Sequence, residues 1–375
     1  MDILRGLVIA LMVLDHVRDY FHAQAFVFSP LDLERTTPLL FATRWITHLC
    51  APTFVFLSGV SIFLQLNGGA PRAQVAKLAL SRGAWLIALE LTVIVFGFQF
   101  VWPYLFLQVI WAIGLGMVAL SALLWLPRAW VLALGAVIVA GHGLLAGSGP
   151  DPASPWAWLW TLTMRPGTVA GVEGFVAYPA VPWIGAMLLG YGAGPLFALP
   201  APRRTRVLAA CALAALAAFA LLRAGLQFGD PRPWLRLQGW RDVASFFNVS
   251  KQPPSLQYVL VTLGVSISLG LLLERVRGPL RALLLAYGRT PLFTYLLHIY
   301  LVHGLAMAIG VASGVPARVF IAPLFNPRQL AEAGWGVDLA TVYAVWLLAL
   351  ALLYPCARWF AGVKRRRRER WLSYL

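Results

Sequence analysis

Of the six histidines in this 375-residue chain, five lie inside long apolar runs, His16, His298 and His303 among them. His16 follows Asp15 in a stretch that opens Asp2-Ile3-Leu4-Arg5-Gly6 and is otherwise almost unbroken in its apolar character. His298 and His303 belong to Tyr295-Leu296-Leu297-His298-Ile299-Tyr300-Leu301-Val302-His303. An imidazole can take a proton at neutral pH, and a carboxylate beside it can raise its basicity or fix its tautomer. The chemistry that Asp15-His16 suits is therefore removal of a proton from an incoming nucleophile. Adjacent helical residues point about 100° apart, so Asp15 can equally serve a neighbouring helix. Ionisable groups at this depth in a bilayer are costly unless they face a polar cavity, which makes each a functional candidate. The plainer alternative for a lone membrane histidine is an interhelical hydrogen bond, and it applies most to His303.

A second group lies in Arg44-Trp45-Ile46-Thr47-His48, followed by Ala51-Pro52 and then Ser58-Gly59-Val60-Ser61. Arg44 and His48 are four apart and share a helix face. Pro52 interrupts the backbone ladder, and the small residues permit close helix approach or a narrow passage. Arg44 and His48 stand at a level suited to binding an acceptor; snorkelling to the interface is the alternative.

The elements that must hold these groups follow from composition. With 60% hydrophobic and 12% charged residues the chain cannot cover itself with a water-facing surface, and a soluble globule is excluded. Apolar runs of about 18 to 25 residues recur, each long enough to cross about 30 Å of hydrocarbon as a helix. They predict ten spans, at 3–21, 39–66, 83–100, 104–126, 129–146, 179–199, 207–224, 255–273, 290–312 and 337–360. The expected fold is an all-α, polytopic helical bundle forming one domain over 1–375, with 364–375 as a basic tail. Arg5 before an apolar stretch and Ala23-Gln24-Ala25 have the look of a signal peptide, but Asp15, His16 and Arg18 do not suit one. The first run reads as a permanent span.

Arginine and lysine give the orientation. Arg72, Lys77 and Arg82, then Arg128, then Arg203, Arg204 and Arg206, then Arg275, Arg277 and Arg281, and finally the tail Lys364 to Arg368 all follow even-numbered spans. Those ends read as cytoplasmic, with both termini among them. Three outer segments, 22–38, 147–178 and 225–254, are too long for plain connectors. The second carries Trp156, Trp158 and Trp160, an interfacial belt or a lid over a cavity. In the third, Lys251-Gln252-Pro253-Pro254-Ser255 removes backbone donors just as the eighth span begins. The absence of an internal repeat weighs against the commonest transporter architectures.

The net charge of +16 is scattered among short loops and one tail. That distribution argues for anionic lipid and against nucleic acid. Cys50, Cys211 and Cys356 have unrelated spacings, with no disulfide framework or metal-ligand pattern. By helix rise His16 lies about 16 Å from Arg5, while His298 and His303 lie about 13 and 21 Å from Arg289, so His16 falls between them in depth.

At these residues a resemblance appears. Asp2-x-x-Arg5-Gly6 followed by His16 resembles the signature of membrane-bound acyltransferases that modify extracytoplasmic sugars. The wider pattern is similar to bacterial members of the heparan-α-glucosaminide N-acetyltransferase catalytic-domain family. It comprises Arg44 to His48 with Ala51-Pro52, Tyr178-Pro179 to Pro182-Trp183-Ile184-Gly185, Lys251 with Pro253-Pro254-Ser255-Leu256, and Tyr287-Gly288-Arg289 running to His298.

The resemblance implies an acyltransferase of the bacterial inner membrane. Acyl-CoA, acetyl-CoA in the first place, enters from the cytoplasm, and the acyl group reaches an amine or hydroxyl of an outer sugar or glycan. No metal is implied. Arg5, Arg82 and Arg289 are then the candidates for the CoA phosphates. His16 is the general base, Asp15 its electrostatic partner and His298 a second cavity group that stabilises the oxyanion. Arg44, His48, Trp183, Lys251 and His303 are the candidates for holding the acceptor. An acyl-histidine relay is the alternative mechanism. In the lysosomal member the catalytic histidine lies after the first span, which sets His22 against His16. Met1 directly before Asp2 leaves no cytoplasmic leader, which suggests a late start or a missing short basic segment. Expected partners are the lipid bilayer, acyl-CoA and the glycan, with a homodimer as an open expectation. The rival function is a proton-coupled transporter or flippase; a lipid-binding protein without turnover fits the Asp15-His16 pair poorly.

Overall fold

The computed structural model describes residues 1–145, 147–226, 228–324, 326–367 and 369–374. Arg368 of the basic tail and Ala146, the expected end of the fifth span, lie outside the described residues. The chain opens with α1 (Asp2–Phe21). It continues through α2 (Pro38–Asn67), α3 (Arg72–Gln99), α4 (Val109–Leu123), α5 (Arg128–Leu145), α6 (Ala180–Ala198), α7 (Ala201–Leu226), α8 (Leu256–Leu273), α9 (Gly278–Arg289), α10 (Pro291–Ala312) and α11 (Leu339–Arg366). Eight of these, all but α1, α4 and α9, are long and apolar enough to cross a membrane. The fold is an all-α polytopic bundle.

Two of the ten expected spans are missing from that set, for different reasons. Helix α1 has the length, about 30 Å for its 20 residues. It also carries Asp2, Arg5, Asp15, Arg18 and Asp19. It tolerates them because it packs against α2, α8, α9, α10 and α11, so its charges meet protein rather than lipid. Helix α4 is short, about 22 Å. The residues expected to extend it from 104 instead run as strand β1 (Leu105–Leu107), parallel to β3 (Val172–Val176), which pairs antiparallel with β2 (Gly167–Val169). The sheet order is β1-β3-β2. The Leu107 carbonyl then accepts from Ala177 and Tyr178 N–H at 2.9 and 3.1 Å, tying the outer segment 147–178 to the start of α4. The 12-residue α9, not anticipated as an element, lies along α1, where a Cβ at Gly288 would collide with the Asp2 carbonyl.

Local chemistry explains the helix starts and one break. Thr37, Ser255 and Asp338 cap α2, α8 and α11, their side-chain oxygens accepting from Leu40, Tyr258 and Thr341 N–H at 3.3, 2.9 and 2.7 Å. Within α2, Pro52 has no N–H for the carbonyl four residues earlier, that of His48. Tyr258 of α8 supplies the missing donor, its hydroxyl 2.8 Å from the His48 oxygen. The bend that begins at the 3₁₀ turn Thr47–Leu49 is thereby stitched to a second helix.

Helices α1 and α11 begin and end on one side of the bundle, where Asp2, Arg5 and Lys364 line a common cavity. At the opposite end His22 bridges to Val337, and the Trp335 indole donates to the Tyr20 carbonyl at 2.8 Å.

Candidate active site

A cavity of about 390 Å³ opens among Asp2, Arg5, Arg82, Arg289 and Lys364. It runs along α1 to Met12, Phe54, Val109 and Tyr295, and these four also line a small chamber of about 40 Å³. Asp15, His16, Gln108, Tyr178 and Lys251 complete the chamber wall. The three arginines assigned to a CoA-like polyanion therefore surround one mouth, and His16 lies at the far end. Arg5 is held there by Asp2 at 3.0 Å and by the Ser61 hydroxyl at 2.5 Å.

His16 and His298 meet directly. Their rings stack with centroids 4.9 Å apart, and His16 Nδ1 lies 2.6 Å from His298 Nε2. His298 Nδ1 lies 3.3 Å from the Thr294 carbonyl, one helical turn back, which can only accept. That contact puts the His298 proton on Nδ1 and makes its Nε2 an acceptor, so His16 Nδ1–H donates and His16 Nε2 keeps its lone pair.

The hydrogen bonds of Asp15 go to groups other than His16. Its carboxylate receives Arg44 Nη1 at 2.7 and 2.8 Å and the Thr47 hydroxyl at 2.8 Å, with Arg18 Nη1 at 2.7 Å. Arg18 in turn donates to Asp19 at 2.6 Å. The helical offset between residues 15 and 16 is the reason: one side chain turns to α2, the other to α10. Arg44 accordingly acts as the partner of Asp15 rather than as a free acceptor ligand. His298 likewise has its Nε2 committed to His16, so the oxyanion role expected of it needs another donor.

Of the five candidates for the acceptor, Lys251 alone lines the chamber. His48 is fully buried against the Tyr258 ring, with neither ring nitrogen bonded. Trp183 is fully buried against Tyr178 and Tyr258. His303 is clamped between the Gly97 and Phe320 carbonyls at 2.9 and 2.8 Å and stacked on Phe100 at 3.7 Å. None of these three is among the residues that line the chamber. His22 lies past the end of α1 with Nδ1 3.1 Å from the Val337 carbonyl, off the chamber, and burial pushes its basicity down.

Lys251 sits on a pinned loop. Asp230 accepts the Ser250 N–H at 2.8 Å and the Ser255 hydroxyl at 2.5 Å, and Ser250 Oγ donates to the Pro253 carbonyl at 3.2 Å. The ammonium lies 5.7 Å over the Tyr178 ring. Burial, reinforced by Arg44 and opposed by Asp15, pushes its pKa down to about 8.

Two site residues escaped sequence reasoning. Glu90, fully buried in a π-turn of α3, accepts the backbone N–H of Gln108 and Trp111 at 3.2 and 3.0 Å. It satisfies N–H groups at the start of α4 that have no partner within the helix. The signal was present, since Glu90 is the one charged residue in 83–100. Gln108 carries no such signal; it is recognised by its place in the chamber wall.

A family model for the heparan-alpha-glucosaminide N-acetyltransferase catalytic domain matches residues 1–225, well over half the chain. The match takes in Arg5, Asp15, His16, Arg44, Glu90 and Gln108, while Lys251 and His298 lie beyond it. No curated protein matches the sequence. The chain thus belongs to the heparan-alpha-glucosaminide N-acetyltransferase catalytic family, and is a multi-pass membrane acetyltransferase.

Proposed function

We propose that this protein moves an acetyl group from cytoplasmic acetyl-CoA to an amine or hydroxyl of an extracytoplasmic sugar or envelope glycan, across a bacterial inner membrane. The observation that carries the reading is that the arginine-lined cavity and the chamber beside His16 share Met12, Phe54, Val109 and Tyr295 as lining, with His298 against His16. Arg5, Arg82 and Arg289 suit the phosphates, and the passage past Met12 and Phe54 suits an extended pantetheine arm. His16 Nε2, left basic by the chain of contacts from Thr294 through His298, takes the proton of the acceptor as it attacks the thioester carbon. Asp15 holds Arg44 and Arg18 in place beside it, and is a positioning residue.

Purified protein should melt higher with acetyl-CoA, because a ligand of the native state stabilises by mass action. His16→Ala should keep that shift and lose transfer by about 10²- to 10⁴-fold. Retained turnover in that variant with loss in His22→Ala would move the base to the outer segment. No shift with acetyl-CoA, together with proton-coupled uptake of a solute, would replace the enzyme by a transporter.

A further inference from the structure

Attack on a thioester drives the carbonyl electron pair onto oxygen, and with His298 committed to His16 the chamber must offer that oxygen other donors. Two are present. The Gln108 carboxamide lines the chamber, and its buried Nε2 donates to nothing among the described residues. Buried donors in native structures are almost always paired, so one left over beside a reaction chamber points to a ligand atom as its partner. The Lys251 ammonium lines the same chamber and forms no ion pair among the described residues, because Arg18 and Arg44 occupy the carboxylates of Asp15 and Asp19.

Both donors are held before any substrate arrives. Glu90 fixes the Gln108 backbone from one side, and the contacts of Leu107 with Ala177 and Tyr178 fix its neighbour from the other. Asp230 fixes the Lys251 loop. Preorganised donors of this kind act without reorganisation at the moment charge develops.

We propose that the Gln108 carboxamide and the Lys251 ammonium form the oxyanion hole of the acetyl transfer, an assignment that rests on the acetyl-CoA reading above. The acceptor nitrogen or oxygen bonds to the thioester carbon, its proton goes to His16 Nε2, and the carbonyl π pair moves to an oxygen held by the two donors. Collapse restores the carbonyl, breaks the carbon–sulfur bond, and CoA leaves as thiol with the proton from His16. The acetylated acceptor remains.

The test compares kcat, KM and the acetyl-CoA-induced melting shift in Gln108→Leu, Gln108→Glu and Lys251→Met. Gln108→Leu should lower kcat about 10²- to 10³-fold with the melting shift intact. Gln108→Glu, which sets an acceptor against the oxyanion, should be at least as slow. Lys251→Met, a change in a loop, supplies the same test without touching α4. A donor line-up for oxygen should also penalise the dithioester of CoA, in which sulfur replaces the carbonyl oxygen. That penalty should shrink in Gln108→Leu, which a purely structural residue would not cause. Retention of kcat within about threefold in both Gln108→Leu and Lys251→Met, with the oxygen-to-sulfur ratio unchanged, overturns the assignment. So does loss of the melting shift along with activity in these variants. Wild-type protein that neither binds acetyl-CoA nor transfers from it overturns the functional reading itself.

Discussion

The two ends of the cavity solve opposite electrostatic problems. At the mouth, Arg5, Arg82, Arg289 and Lys364 face a single acid, Asp2. Around the chamber, Arg18, Arg44 and Lys251 face Asp15 and Asp19, with the first two cations closed into a network of contacts at 2.6 to 2.8 Å. A surplus of one sign is useful at an entrance, where it attracts a polyanion. Deep in the bundle an unpaired charge is costly, so these charges are closed on one another, and among the described residues around the chamber Lys251 is left over. On the proposed reading, the mouth serves binding and the chamber holds a few groups still.

Breaking the chamber network should have the largest effect. Asp15→Asn leaves Arg44 and Arg18 buried beside a neutral amide and should lower unfolding stability by about 3 kcal/mol. An unchanged melting temperature would show that the network contributes little. Changes at the mouth should be milder and of a different kind. Arg82→Ala or Arg289→Ala should raise KM for acetyl-CoA about tenfold with kcat little altered, since the contact is made equally in the ground and transition states. The difference from wild type should fade at high salt. A fall in kcat at constant KM would place these arginines in the chemistry instead.

A smaller effect separates charge from shape at Lys251. Its pKa is pushed down to about 8 by burial and by Arg44, against Asp15, Cys50 and Asp19. Because the shift is downward, the ammonium is lost as pH rises through 8, and the rate should fall there. Lys251→Arg keeps its charge over that range, so its rate profile should lack the descending limb. The same limb in both proteins would assign it to another group. The least effect is expected at the outer tryptophans. Trp156 is 66% exposed, so Trp156→Ala should change stability by less than about 0.5 kcal/mol and leave the rate alone. A clear drop in kcat would favour a lid over an interfacial belt.

Legibility differed from residue to residue. The spacing of Arg5 and His16 and the depth of His298 were readable because a straight helix converts sequence distance into depth. What no spacing conveyed was azimuth. Asp15 and His16 are neighbours in the chain, yet they address different helices, and the partner of His16 lies 282 residues away. His48, Trp183 and His303 looked like ligands by type and depth; the structure sets them off the chamber lining, among aromatic rings and, for His303, between two carbonyls. Glu90 was visible as a lone acid in an apolar run. Its task was not, because the helix end whose N–H groups it accepts begins at a strand whose partner lies near residue 175.

The sequence by itself determined a membrane bundle of helices, the family and the positions of His16 and His298 along their helices, since hydrophobicity and helical rise are one-dimensional quantities. Tertiary structure decided that the charged α1 is the central helix and that Asp15 organises arginines while His298 orients His16. It also placed Gln108 and Lys251 in the wall of one chamber. Those outcomes depend on which side chains face each other across helices, and packing sets that through contacts between residues far apart in the chain.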